Sequence, residues 1–538
     1  MKKSFLAVVF FSSCSWIYAQ STNTLDKAKI YAATISADNL KRDLTYIASD
    51  ELEGRDTGSE GQKKAADFIA KRFAELGLQP LASDGKGGKG YFQHFNLYKK
   101  GWQDAYLKIG NKKKEFFKDY YPNGLTVIPQ EESVKVVFAG YGIETDTYSD
   151  YRNIDIKNKA VVILEGEPKD VSGKSYITKE GEKSIWEDKT GFQKKTALAT
   201  GKGAKMFFVV SESDETGFKS LAAERKAVLS RFNRMSINQA TGPEQASKDP
   251  VFYISKAMAA EMLDIKPKKF DNVVNKITNS GNSSAGSVRE SKVSIKAERG
   301  EVPVETMNVL GFLEGTDKKD EVVLITAHYD HVGIQGGQIH NGADDDGSGT
   351  CAVLELARAF AQAKKEGNGP RRSILFMTVT GEEKGLLGSQ YYADKDPVIP
   401  LANTVCDLNI DMIGRIDKEH APRENYVYVI GADKLSSDLH KINEEANNNS
   451  VKFELDYTYN DPKDPNRFYY RSDHYNFAKH KIPVAFYFTG VHADYHRPGD
   501  DVEKILFPKY RQITELVFHT AWEVANREER LKVDSNKP

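Results

Sequence analysis

The chain has 538 residues, with 76 Lys+Arg against 77 Asp+Glu, 39% hydrophobic and 11% aromatic residues, and 3 Cys. That much apolar surface excludes a disordered chain, and 41 Gly with 18 Pro exclude a collagen-like or low-complexity one. A net charge of −1 gives no global attraction to nucleic acid or to an anionic membrane surface, and three cysteines make no disulfide framework, so the fold must rest on its core. At roughly 150 residues per domain, the length predicts two to four domains, or fewer if one large α/β domain takes most of it.

Residues 1–20 read MKKSFLAVVFFSSCSWIYAQ. Lys2 and Lys3 form a basic start, residues 5–11 an apolar run, and Ala19 a small residue at a cleavage position. The pattern predicts a secretory signal peptide over residues 1–19 and an exported protein, periplasmic or secreted. The apolar run is too short to span a bilayer, and no other segment approaches the ~20 apolar residues of a membrane helix. Ser12-Ser13-Cys14 opens a lipoprotein alternative, weakened by Phe11 where an aliphatic residue is usual. Cleavage after Ala19 leaves Cys351 and Cys406. The sequence does not say whether they pair; two small buried hydrophobes is the simpler expectation.

Ser59-Glu60-Gly61-Gln62 reads as a capping box, with Ser59 as N-cap and Gln62 returning to its N–H. Ala65, Ile69, Phe73 and Leu76 follow at helical spacing, and Gly77 is a stop. Short β-branched runs at 134–138, Ala160–Leu164 and Met206–Val210, with a helix at 192–201, predict a β-rich module. The linker-like SGNSSAGS at 280–287 ends it. The module is assigned 130–288, inserted between an N-terminal part (20–129) and a main part (289–530) of one larger domain, before a polar tail at 531–538. In the main part, strands at 322–327, 373–379, 405–412 and Val484–Phe488 alternate with helices at 351–363 and 435–446. This predicts an α/β fold whose sheet is covered on both faces.

Polar chemistry gathers at the strand ends, where α/β sheets place their sites. Five segments stand out: Ala327-His328-Tyr329-Asp330-His331, the Gly-rich loop from Asn341 to Gly349 with Asp344-Asp345-Asp346, Thr380-Gly381-Glu382-Glu383, Asn409-Ile410-Asp411-Met412, and Asp494-Tyr495-His496-Arg497-Pro498-Gly499-Asp500. On an extended chain His328 and Asp330 point the same way, so the Asp330 carboxylate is expected to accept the second ring N–H of His328. Three adjacent carboxylates repel unless a cation or donors offset them. Each feature alone has a structural reading: a His ending a strand, an N-cap Asp, a capping Glu. Five together in one α/β unit have none that demands them all. Oxygen and imidazole ligands without thiolate suit Zn²⁺, with Co²⁺ or Mn²⁺ as substitutes. Two such ions about 3.5–4 Å apart would share a bridging carboxylate and clamp a water.

These segments, in this order, resemble the secreted di-zinc aminopeptidases of the bacterial leucyl aminopeptidase type. Glutamate carboxypeptidase, glutaminyl cyclase and transferrin receptor are more distant relatives. Asp50-Glu51-Leu52-Glu53-Gly54-Arg55 is similar to the family's N-terminal segment, and Phe138-Ala139-Gly140-Tyr141-Gly142-Ile143 with Lys159–Leu164 resembles a protease-associated domain. The resemblance implies a three-layer α/β/α catalytic domain around a mixed, largely parallel sheet, with the protease-associated module inserted. It implies that His328, Asp345 and Asp411 bind one Zn²⁺ and that Asp345, Glu383 and His496 bind a second, with a non-proline cis peptide at Asp345–Asp346. Glu382 would be the general base toward a water bridging the two ions, Tyr495 a donor to the oxyanion, and Asp330 the residue orienting His328. Ser472-Asp473-His474 would support the site rather than ligate. The implied activity is hydrolysis at the free N-terminus of a peptide. A glutamate-releasing carboxypeptidase shares the ligands; a one-zinc glutaminyl cyclase-like transferase and a silent binding scaffold are further alternatives. Neither the preferred N-terminal residue nor the oligomeric state is readable.

Overall fold

The computed structural model describes residues 26–230, 234–239 and 245–535; the expected signal peptide, with Cys14 and Ala19, lies outside them. The chain forms two compact units, one up to Leu97 and again from Val304 onward, the other Tyr98–Pro303.

In the first unit, four strands run parallel in the order Val484–Phe488, Thr404–Ile410, Lys318–His328, Arg372–Val379. Antiparallel strands flank them: Tyr426–Ile430 on one side and residues 309–313 on the other. The run at 322–327 is continuously apolar because both faces are covered. Val323, Ile325 and Ala327 face one cluster with Leu44, Ile69, Leu356, Phe360 and Phe518, from helices Ala37–Ile47, Glu60–Glu75, Gly349–Lys365 and Phe507–Asn526. Val322 and Leu324 face the opposite cluster with Tyr392 and Phe477, from helices Leu387–Asp394 and His474–Ala478. The predicted three-layer α/β/α architecture with a mixed, largely parallel sheet is therefore what forms. Ser59 caps the helix Glu60–Glu75 as predicted, its Oγ accepting the Gln62 N–H at 3.2 Å. The return half of the box differs: Gln62 Oε1 accepts from Gly58 N, and its amide reaches inward to the Tyr329 hydroxyl. Cys351 and Cys406 are buried and free. Among the described residues no helix is long and apolar enough to cross a membrane.

The second unit has its own parallel run, Ile128–Phe138, Ala160–Leu164, Met206–Val210 and Val251–Ile254. Tyr120–Pro122 and residues 291–297 pair antiparallel at its two sides. These flanking strands are why the compact unit is wider than the 130–288 assigned from the sequence. The predicted helix appears as Lys189–Gly201, but helices Glu215–Ser230, Lys256–Met262 and Pro267–Ser280 join it, so the unit is more helical than predicted. Glu215–Ser230 escaped notice because only Phe218, Ala222 and Leu229 of its residues are buried.

Candidate metal centre

The parallel strands of the first unit deliver the predicted residues to one place, past their carboxyl ends. His328 is the last residue of Lys318–His328, Asp411 follows Thr404–Ile410, and Glu382 and Glu383 stand just beyond Arg372–Val379. The loop after Val484–Phe488 carries Tyr495 and His496, the latter with a left-handed φ of 54°.

Asp345 arrives on the loop Ala343–Ser348, whose Asp345–Asp346 peptide is cis. Gly342 is required here: its φ is +56°, and a Cβ would lie 2.2 Å from the Asp345 carbonyl oxygen and 2.5 Å from the His331 ring. The two flanking aspartates answer the repulsion problem raised by the sequence. Asp344 accepts from Gly414 N at 2.6 Å and from the Ser348 hydroxyl at 3.0 Å. Asp346 accepts from the backbone N–H groups of His328, Gly349 and Met412 at 3.2, 2.8 and 3.1 Å. Both are wholly buried; Asp344 turns its second oxygen to His492 Nε2 at 3.4 Å, and only Asp345 presents its carboxylate to His328 and His496. Asp500 fastens the loop by accepting the N–H groups of Asp344 and Asp345 at 3.1 Å.

Two neighbouring sets of ligand atoms result, His328 with Glu382 and Asp411, and His331 with Asp345 and Glu383; within each, the atoms lie inside 4.8 Å of one another. His328 Nε2 stands 3.4 Å from Asp345 Oδ1, 3.7 Å from Asp411 Oδ1 and 3.8 Å from Glu382 Oε2. His496 Nε2 is 3.0 Å from Asp345 Oδ2 and 3.1 Å from Glu383 Oε1. Asp345 thus lies between the two histidines, one oxygen toward each. Tyr495 stacks on His496 at 3.8 Å between ring centres and lines the same cavity as His328, Asp345, Glu382 and Asp411.

The expected role of the Asp330 carboxylate is corrected. His328 Nδ1 pairs with the main-chain oxygen of Asp330 at 3.0 Å, while the carboxylate is 3.8 Å away. The strand ends at His328, so the alternation that would align the two side chains does not extend to Asp330. Its carboxylate instead accepts from the Thr57 hydroxyl at 2.6 Å and from Glu382 N at 3.2 Å, so it fixes the backbone of Glu382. Ser472 does support the site: it donates to Asp411 Oδ2 at 2.8 Å and accepts from Asn409 at 2.8 Å.

Two residues were not singled out from sequence. Arg55 is wholly buried and donates to the main-chain oxygens of Ile47, Tyr329, Asn341 and Gly342. His331 is wholly buried with Nδ1 3.0 Å from Glu383 Oε1; its place three residues after His328 was the available signal.

The electrostatics are those of a site built for cations. Burial, reinforced by Glu383 and Asp411 against the pull of His328, raises Glu382 well above the usual carboxylate range. Burial and the charge of Asp345 push Glu383 up, but His331 and His496 outweigh them and hold it at about 2. Burial lowers His496, yet the facing carboxylates of Asp345 and Glu383 carry it to about 10. Asp345 Oδ2, Glu383 Oε1 and both ring nitrogens of His331 are buried without a hydrogen-bond partner. Buried polar atoms of this kind call for a partner, and carboxylate oxygens with imidazole nitrogens converging on one point fit a divalent ion such as zinc.

Residues 308–521 match the model of peptidase family M28. This stretch belongs to that family. The matched domain contains every residue of the centre from His328 to His496. The chain is 26% identical over 309 residues to aminopeptidase YwaD of Bacillus subtilis, covering 53% of this chain and 63% of that relative. It is 37% identical over 124 residues to a protein of Pyrenophora teres f. teres named probable zinc metalloprotease, covering 22% and 24%. The matches thus span less than two thirds of the length of these curated relatives. A solved structure of a zinc aminopeptidase from Bacillus subtilis aligns over 93% of this chain and 98% of its own, at 19% identity and a TM-score of 0.46.

Proposed function

We propose that this chain is an exported, zinc-dependent aminopeptidase of family M28. The observation that carries the reading is the Asp345 carboxylate lying between two ligand groups in one cavity. His328, Asp345 and Asp411 would hold one ion, and Asp345, Glu383 and His496 the other. Two zinc ions there would polarise a scissile carbonyl and lower the pKa of a water between them.

The protein groups do the rest. Glu382, raised by burial and held at its backbone by Asp330, is suited to take a proton from the attacking water and return it to the leaving amine. The Tyr495 hydroxyl, kept protonated by burial, donates to the oxyanion as it forms. Met412, Phe468, Phe486, Phe488 and Val491 line the same cavity, with Arg471 and Ser472 among them, and offer an apolar side chain on the released residue a surface to pack on. Export is supported by Lys2, Lys3 and the apolar run at 5–11, and the reading of residues 130–288 as a protease-associated module is supported by the sequence resemblance at 138–143 and Lys159–Leu164.

The test is a panel of aminoacyl-anilides with different first residues, together with N-blocked and C-blocked peptides, with and without a chelator. Cleavage of free-amino substrates with apolar first residues, lost on chelation and restored by Zn²⁺, is expected. Preferential cleavage of N-blocked peptides would replace the reading by a carboxypeptidase, and cyclisation of N-terminal glutamine by the transferase alternative.

A further inference from the structure

The resemblance to the di-zinc aminopeptidases assigns the second ion three protein ligands, Asp345, Glu383 and His496. The geometry points to a fourth: we propose that His331 ligates the same ion, which makes this position a four-ligand site of two imidazoles and two carboxylates. The inference rests on the two-ion reading above and goes beyond it in composition.

His331 and His496 address the same pair of oxygens. His331 Nδ1 is 3.0 Å from Glu383 Oε1 and 3.8 Å from Asp345 Oδ2; His496 Nε2 is 3.1 and 3.0 Å from those atoms. The rings stand edge to face with centres 5.7 Å apart, so they flank one point rather than stack. The two oxygens and both His331 ring nitrogens have no hydrogen-bond partner, although all are buried. An imidazole sealed from water, with Nε2 unpartnered and Nδ1 facing a carboxylate without a well-aligned hydrogen bond, is costly to bury. The backbone is shaped to bring it there. His331 N donates to the Arg55 carbonyl at 3.2 Å, and the missing Cβ of Gly342 leaves the room that the ring fills. The plain alternative is that His331 serves only as a donor that orients Glu383.

The consequence is asymmetry. Four protein ligands in an all-protein shell are the pattern of tightly held, structural zinc, whereas three leave a position open. The first ion has His328, Asp345 and Asp411. The ion between His331 and His496 is then the one retained when metal is withdrawn, and the one beside His328 exchanges.

Two measurements separate the readings. In His331→Asn, the side-chain amide can still donate to Glu383 from near the Nδ1 position but is a poor zinc ligand. The zinc-loaded protein and this variant are dialysed against graded chelator and their zinc counted by elemental analysis. The expected result is a tightly held zinc in the parent that is held at least 10-fold more weakly in the variant; equal retention overturns the proposal. If the variant does not fold, as judged by circular dichroism, the parent protein loaded with Co²⁺ answers alone. Proton NMR should show three exchangeable, strongly shifted imidazole N–H resonances, from His328, His331 and His496; two would overturn it. Three resonances without peptide hydrolysis would sink the aminopeptidase reading and leave the ligand set standing.

Discussion

The Arg55 guanidinium donates to the main-chain oxygen of Asn341 at 2.6 Å, across 286 residues of sequence. The same side chain reaches the oxygens of Gly342 and Tyr329 at 3.0 and 2.8 Å. One planar cation thereby joins the loop that carries Asp345 to the segment after His328. Burial lowers its pKa, and the charges of Asp345, Asp500 and Asp330 act to restore it. Arg55→Ala leaves buried carbonyls unpaired and removes a cation facing the carboxylates, which should cost about 3–5 kcal/mol. Urea unfolding and zinc content should both fall. Arg55→Lys restores the charge without the fork and should recover only part. Wild-type stability and zinc content in Arg55→Ala would remove this role.

Glu382 is placed by its backbone, through the Asp330 carboxylate, and its own carboxyl stands 3.8 Å from His328. Glu382→Gln keeps the shape and removes the base. Turnover should fall by about 10²–10⁴-fold, the usual worth of a general base, while zinc content stays at the parent value. Near-normal kcat in the variant would refute the assignment.

The strands and the residues at their ends were legible because burial on both faces writes continuous apolar runs, and a carboxylate ending such a run stands out. What hydrogen bonds to main-chain atoms was not. Arg55 has carbonyl partners, and carbonyls carry no residue identity. Asp344 and Asp346 look like Asp345 in sequence; only the cis turn and the N–H groups of Gly349, Met412 and Gly414 separate their duties. The Asp330 carboxylate was misdirected because strand alternation was carried two residues past the strand's actual end at His328. His331 was visible in the same segment, but its ring position depends on Gly342, which no local spacing reveals.

Asp411 is held by a relay. Thr326 Oγ1 donates to Asn409 Oδ1 at 2.9 Å, Asn409 Nδ2 to Ser472 Oγ at 2.8 Å, and Ser472 Oγ to Asp411 Oδ2 at 2.8 Å. Ser472→Ala cuts it without touching a proposed ligand. Groups that orient ligands are typically worth 10–100-fold in metal affinity, so zinc bound beside His328 should be lost at about 10-fold lower chelator concentration. Unchanged competition with a chromogenic chelator would show that Asp411 needs no such support.

Acid sensitivity should trace in part to His474, wholly buried and stacked on Phe486 at 4.7 Å. Burial holds its imidazole at about 3, against an ordinary value of 6.5. Above pH 6.5 it is neutral in the folded and unfolded chain alike and costs nothing. Between 6.5 and 3 the unfolded chain takes up a proton that the folded one refuses, so stability falls by about 1.4 kcal/mol per pH unit. Neighbouring Asp473, pushed up to about 7 by burial, works the other way, since its folded form binds the proton more readily. Comparing His474→Phe with the parent cancels the Asp473 contribution. The variant retains an aromatic ring for Phe486 and has nothing to titrate, so between pH 7 and pH 5 it should lose about 2 kcal/mol less than the parent. Denaturant midpoints at the two pH values measure this directly, and parallel losses in both proteins would mean that His474 is protonated in the native state.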